Sequence, residues 1–153
     1  MIESPSISFR TAQFIDIDPL IELVTEFYEF EQISLNAEVI KAFTALLSNE
    51  QYGTIWLICD RDRPIGYAAL TFFFSMEYYG LCGLLDELYI KADYRGQGIG
   101  KQILDFVTTY LQNQGSRSLT LVVDDWNHAA ETFYLKNGFT RTNRHVMLKQ
   151  LST

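Results

Sequence analysis

The 153-residue chain predicts a single α/β domain, and three observations lead to it. Apolar runs of strand length follow one another in the middle of the chain, at Ile55–Cys59, Pro64–Phe74 and Tyr78–Ile90. On both sides of them apolar residues recur at helical spacing. Between the last run and the helix that begins near Ile99 lies Arg95-Gly96-Gln97-Gly98-Ile99-Gly100, a glycine turn that joins strand to helix. One domain of this length buries about two-thirds of its unfolded surface and builds a core without staples.

The elements follow in order. Ser6–Arg10 alternates polar and apolar residues and reads as a short strand. Asp18 and Pro19 provide a cap and a first-turn proline for a helix that carries Leu20, Leu23, Val24, Phe27 and Phe30 on one face. A second helix over 37–47 places Val39, Ile40, Phe43, Leu46 and Leu47 toward the core, and Tyr52-Gly53 breaks it. Ile55–Cys59 and 64–74 form a hairpin around the charged turn 60–63, and 78–90 is the long strand that enters the glycine loop. Ile99, Ile103, Phe106, Val107, Tyr110 and Leu111 repeat at the helical period as far as Gly115. Leu119–Val123 is a buried strand, Ala129–Asn137 a short helix closed by Gly138, and 139–144 and 145–151 the final two strands.

Composition narrows the function. Apolar residues at 48% and charged residues at 20% describe a folded chain rather than a disordered one. Cys59 and Cys82 lie in apolar runs and read as buried reduced thiols, and two histidines argue against a zinc cluster, so no metal site is assigned. The amino terminus carries no basic segment followed by a long apolar one, and 18 consecutive apolar residues occur nowhere; the expectation is a cytoplasmic protein without a membrane partner. A net charge of −7 argues against nonspecific nucleic-acid binding. All of that charge arises before residue 41, where Glu3, Asp16, Asp18, Glu22, Glu26, Glu29, Glu31 and Glu38 face Arg10 alone. Such a segment either attracts a cationic partner or is a solvated helix surface.

A strand, a glycine turn and a helix form a phosphate-binding arrangement. Glycines let backbone approach a ligand, and the unpaired N–H groups of residues 97–101 point at an anion from the positive end of the helix. Lys101 adds a mobile charge. A P-loop is excluded because Lys101 is followed by Gln102, and the spacing of a dinucleotide fingerprint is absent. A tight turn with close helix–strand packing is the alternative reading of the loop.

Read with its flanks, the loop becomes specific. Leu88-Tyr89-Ile90, Arg95 through Gly100, Asn127, Ala130, Phe133-Tyr134 and Gly138-Phe139 resemble the acetyl-coenzyme A signature of the GCN5-related N-acetyltransferase (GNAT) family. The match is close over residues 84–140 and covers the whole chain in outline; Ala92 stands where many members carry proline. The resemblance implies a mixed, mostly antiparallel central sheet with flanking helices and a splayed acetyl-CoA cleft. The strand before the loop leaves its neighbour at a bulge, and the backbone of Leu88 and Ile90 pairs with the pantetheine arm. The cofactor-binding set is then Leu88, Tyr89, Ile90, Arg95, Gly96, Gln97, Gly98, Ile99, Gly100, Lys101, Asn127, Ala130, Phe133 and Tyr134.

The same resemblance assigns the chemistry. Tyr134 protonates the departing thiolate, and the Leu88 N–H stabilises the oxyanion. Glu87 accepts the amine proton or makes a charged contact to substrate. Period-two alternation sends its neighbour Asp86 to the opposite side. Asn127 bonds the pantetheine arm, caps the following helix, or does both. His128 sits beside that cap toward solvent, which disfavours it as a base. For the acceptor the resemblance gives no guide, and the expectation from the residues is an acidic and aromatic site of Tyr28, Glu29, Glu31, Phe74 and Glu87, suited to a polyamine, an aminoglycoside or a lysine-bearing peptide. The expected activity is acetyl-CoA-dependent N-acetylation of a primary amine by direct attack. The alternative is a coenzyme A-binding regulatory protein of the same fold, and exposed carboxyl-terminal strands would allow a homodimer.

Overall fold

The computed structural model describes residues 3–152. The chain divides into two compact units, one through Val122 and the other from Val123.

The first unit is a mixed sheet with helices on both faces. Its five strands lie in chain order: β1 (Ile7–Thr11), β2 (Gly53–Asp60), β3 (Arg63–Ser75), β4 (Gly80–Ile90) and β5 (Leu119–Thr120). The first four pair antiparallel, and β4 pairs parallel with β5. Alternation along β2 separates the faces. Ile55, Leu57 and Cys59, with Tyr67, Ala69 and Tyr89, meet Leu20, Leu23, Val24 and Tyr28 of α1 (Ile17–Glu31) and Phe43 of α2 (Ala37–Ser48). On the other face Trp56 packs edge-on against Phe106 and Tyr110 of α3 (Ile99–Asn113).

The helix ends show why these segments fold locally. The Asn36 side chain accepts the N–H groups of Glu38 and Val39 and opens α2. The residue before α1 is Asp16 rather than Asp18, which lies within the first turn with Pro19. Asp16 is buried because Arg10 clamps it through two bonds of 2.8 Å and Gln13 N–H supplies a third. That clamp holds its carboxyl below the usual range. Along α1, Tyr28 is buried and Phe30 exposed, the reverse of the spacing argument.

The second unit carries α4 (His128–Lys136), opened by Asn127, whose side chain accepts the Ala130 N–H at 3.1 Å. Residues 139–152 form neither helix nor strand, and the five-stranded sheet contains none of them. The two carboxyl-terminal strands expected from the sequence are therefore not formed. β-propensity describes a residue's fit to a pleated surface, whereas a strand exists only through the ladder of a neighbour. For the same reason the strand expected over 119–123 shortens to Leu119–Thr120.

Both cysteines are buried and unpaired. Among the described residues no helix is long and apolar enough to cross a membrane.

Candidate active site

The edge of β4 is the first feature of the site. Its pairing with β5 covers two registers, Gly83 with Leu119 and Leu84 with Thr120, and β4 then runs on to Ile90 without that neighbour. On the β3 side Leu70 stands opposite Leu85 and Ala69 opposite Glu87, so Asp86 is an extra, bulged residue. Lys91 N–H donates to the Ile65 carbonyl at 2.8 Å. Directly opposed residues in an antiparallel pair alternate between bonded and non-bonded positions. Counting back by twos, Tyr89 and Glu87 direct their backbone groups to β3, while Leu88 and Ile90 direct theirs to the edge that β5 has left.

The bulge corrects the alternation argument for Asp86. Ala69 belongs to the face covered by α1 and α2, so its partner Glu87 does too. Asp86 already points to that side, and without an extra residue Glu87 would point away from it. The two carboxylates therefore share a face. The charge of Asp86 acts on Glu87, Tyr28 and Tyr67 alike.

Glu87 is held from two elements. Tyr28 on α1 donates to its Oε2 at 2.7 Å, and Tyr67 on β3 donates to its Oε1 at 2.6 Å. Burial pushes the carboxyl above its usual range, the two hydroxyl donors pull it back, and Asp86 pushes it further up. Burial and the facing carboxylate push both phenols well above the ordinary tyrosine range, so they remain donors. Two residues along, Glu26 accepts Tyr89 Oη and Lys91 Nζ, each at 2.9 Å.

The glycine loop is the second feature. A single turn of 3₁₀ helix over Ala92–Tyr94 leads into it, and Gly98 is the residue before α3. Gly96 and Gly98 have φ of 74° and 82°, values that favour glycine, and a Cβ on either would meet nothing within 4 Å. The space over the helix start is open. Arg95 turns away from it: its Nε donates to the Ile90 carbonyl at 2.8 Å, and its guanidinium lies over the rings of Phe30 and Tyr89. Lys101 pairs with Asp105 one turn along α3, and Gln97 Nε2 donates to the Asp93 carbonyl. Anion-binding capacity here belongs to backbone N–H groups, with Ile99 buried beneath them.

Of the residues expected at an acceptor site, Tyr28 and Glu87 are brought together. Glu29 is exposed, one helical step round from Tyr28, and Glu31 ends α1 half-buried. Phe74 is not brought to them. It lies five residues along β3 from Ala69, roughly 17 Å at strand rise, and is exposed near the hairpin tip. In the second unit Asn127 is engaged as the cap of α4, on which Ala130, Phe133 and Tyr134 lie. The Tyr134 ring packs 5.2 Å from Phe133 and 5.4 Å, edge-on, from Phe139. Tyr67 and Glu26 were not singled out from the sequence. The available signal was a tyrosine hydroxyl inside the otherwise apolar run 65–70, since a buried hydroxyl needs a partner.

Comparison with known proteins adds four relationships. A model described as the Acetyltransferase (GNAT) family matches residues 17–139. The thialysine N-epsilon-acetyltransferase of Bos taurus is 28% identical over 141 residues, spanning 84% of this chain and 81% of its own. Among solved structures, an integron cassette protein from the mobile metagenome of Cole Harbour Salt Marsh is 33% identical with a TM-score of 0.83, over 95% of this chain and 91% of that one. A predicted acetyltransferase from Clostridium acetobutylicum, solved with acetyl-CoA, shares the fold at a TM-score of 0.79 and 22% identity, over 94% of this chain and 96% of its own.

Proposed function

Because the chain belongs to the acetyltransferase (GNAT) family and is an acetyltransferase that uses acetyl-CoA, we propose that it acetylates a primary amine of a cationic acceptor by direct attack. The observation that carries the acceptor class is the bulge at Asp86, which turns two adjacent carboxylates to one face beside Tyr28. A primary ammonium finds there an exposed charge at Asp86 and a proton acceptor at Glu87. The bovine relative, named for acetylation at the ε-nitrogen of thialysine, supports an acceptor whose amine ends a flexible chain.

The residues present fit the acetyl donor. The N–H groups at the start of α3 would hold its pyrophosphate in the open space above Gly96 and Gly98. The outward backbone of Leu88 and Ile90 would accompany the pantetheine arm, with Arg95 keeping one Ile90 carbonyl lone pair. Asn127, Ala130, Phe133 and Tyr134 complete the set by resemblance. When bound, acetyl-CoA supplies the thioester whose C–S bond breaks as the amine forms its C–N bond. Glu87 takes one proton from the acceptor's ammonium, and the Leu88 N–H supports the carbonyl oxygen as it gains charge. Tyr134 gives its hydroxyl proton to the leaving sulfur and recovers one from the acceptor nitrogen through solvent. The net products are amide, thiol and one proton.

The test is a turnover screen with acetyl-CoA against polyamines, aminoglycosides, lysine-terminated peptides, free amino acids and neutral monoamines. Polycationic or lysine-like acceptors should give the highest kcat/KM. A best acceptor that is a monoamine of net negative charge would reject the proposed site.

A further inference from the structure

Tyr67 lies at the centre of the sheet, and its position is overdetermined. Its backbone is paired on both sides, opposite Leu57 of β2 and Tyr89 of β4, and the residue is fully buried. Its ring meets Phe27 and Phe43 edge-on at centroid distances of 6.2 and 6.0 Å, and Tyr89 at 6.4 Å. The side chain has nowhere else to go. Phenylalanine would fill almost the same volume without a polar atom to satisfy, so packing alone does not explain the hydroxyl. That hydroxyl donates to Glu87 Oε1 at 2.6 Å, a distance typical of a charge-assisted bond.

We propose that Tyr67 is a positioning residue for acetyl transfer: from the interior of the sheet its hydroxyl fixes Oε1 of Glu87 and holds that carboxylate in its ionised, proton-accepting form. Tyr28 fixes the other oxygen from α1, so the carboxylate cannot rotate without breaking a bond. An ionised carboxylate has about four acceptor positions. Two are occupied by the tyrosines, and the others remain for an ammonium or a water that relays its proton. Burial opposes the charge on Glu87 most strongly; of the groups that face it, Tyr67 from β3 and Tyr28 from α1 favour the charge, and Asp86 from β4 opposes it. The Glu26, Tyr89 and Lys91 set lies two residues farther along the strand.

The inference rests on the reading of Glu87 as the proton acceptor, and the experiment separates the two. The acceptor kcat/KM is measured against pH for wild type, Tyr67→Phe and Glu87→Gln, with the KM for acetyl-CoA recorded in each. The carboxylate limb of the wild-type profile should move up by about one pH unit in Tyr67→Phe, because a donor to the charged form has been lost. The acetyl-CoA KM should stay unchanged, and Glu87→Gln should abolish that limb. If the limb survives in Glu87→Gln, the assignment of Glu87 is wrong and the inference falls with it. If Glu87→Gln removes the limb but Tyr67→Phe leaves it in place, Glu87 stands and Tyr67 is only core. A second measurement needs no substitution: in ¹³C-labelled wild type the Tyr67 Cζ resonance should titrate together with the Glu87 carboxyl. Independent titration of the two would also overturn the proposal.

Discussion

A carboxylate that must accept a proton near neutrality works best when its affinity lies above that of a free glutamate, and burial beside Asp86 has that effect on Glu87. The sign follows directly. With its folded pKa raised, Glu87 favours the fold below the unfolded value of about 4.3, and that contribution is lost as pH rises through the folded pKa. The form proposed to act as the base is therefore the form that costs stability. The task proposed for Tyr134 is the opposite one. Replacing it with phenylalanine should lower kcat by roughly 10²-fold, the scale of losing one general acid, while acetyl-CoA affinity holds. Single-turnover kinetics across the pH range check this, and wild-type rates throughout would remove the assignment.

At the scale of the element, the turn into α3 combines two backbone requirements: a left-handed residue before the helix and open space above its first N–H groups. Gly98→Ala puts a methyl group into that space and a strained φ into the turn. Gly115→Ala separates the two effects, because Gly115 also sits at positive φ, 78°, with nothing within 4 Å of an added Cβ. Each substitution should cost about 1–2 kcal/mol of stability. Only Gly98→Ala should also weaken coenzyme A binding, by at least tenfold in calorimetry. Equal affinities in the two folded variants would move the pyrophosphate elsewhere. Arg95 belongs to the same element, and its bond to the Ile90 carbonyl ties the loop to the end of β4.

Across the whole molecule, charge is distributed less freely than the sequence count suggests. Of the eight carboxylates before residue 41, Glu3 pairs with Arg61, Asp16 with Arg10, Glu26 with Lys91 and Glu38 with Lys41. Asp18, Glu22 and Glu29 remain exposed on α1. Exposed charges steer a partner through a field that salt screens over about 8 Å at physiological ionic strength. The kcat/KM of a polycationic acceptor should therefore fall as salt rises. Joint replacement of Glu22 and Glu29 by glutamine should flatten that dependence with kcat unaltered. A salt-independent kcat/KM in wild type would reduce α1 to a solvated surface.

Local signals were strong enough to be read directly from the chain. The apolar period of α3, the Asn127 cap and the glycines before α3 act within a few residues of themselves, so these elements and the family signature were legible. Asp86 and Glu87 were not separable in that way. Which face they occupy depends on the register of β4 against β3, and one extra residue in that register reverses the answer. The partners of Glu87 lie 59 and 20 residues away, at Tyr28 and Tyr67, and only the packing of α1 on the sheet makes them neighbours. The apolar residues near the carboxyl terminus show the same limit, since alternation supplies a strand's side chains but only a neighbouring ladder supplies its hydrogen bonds.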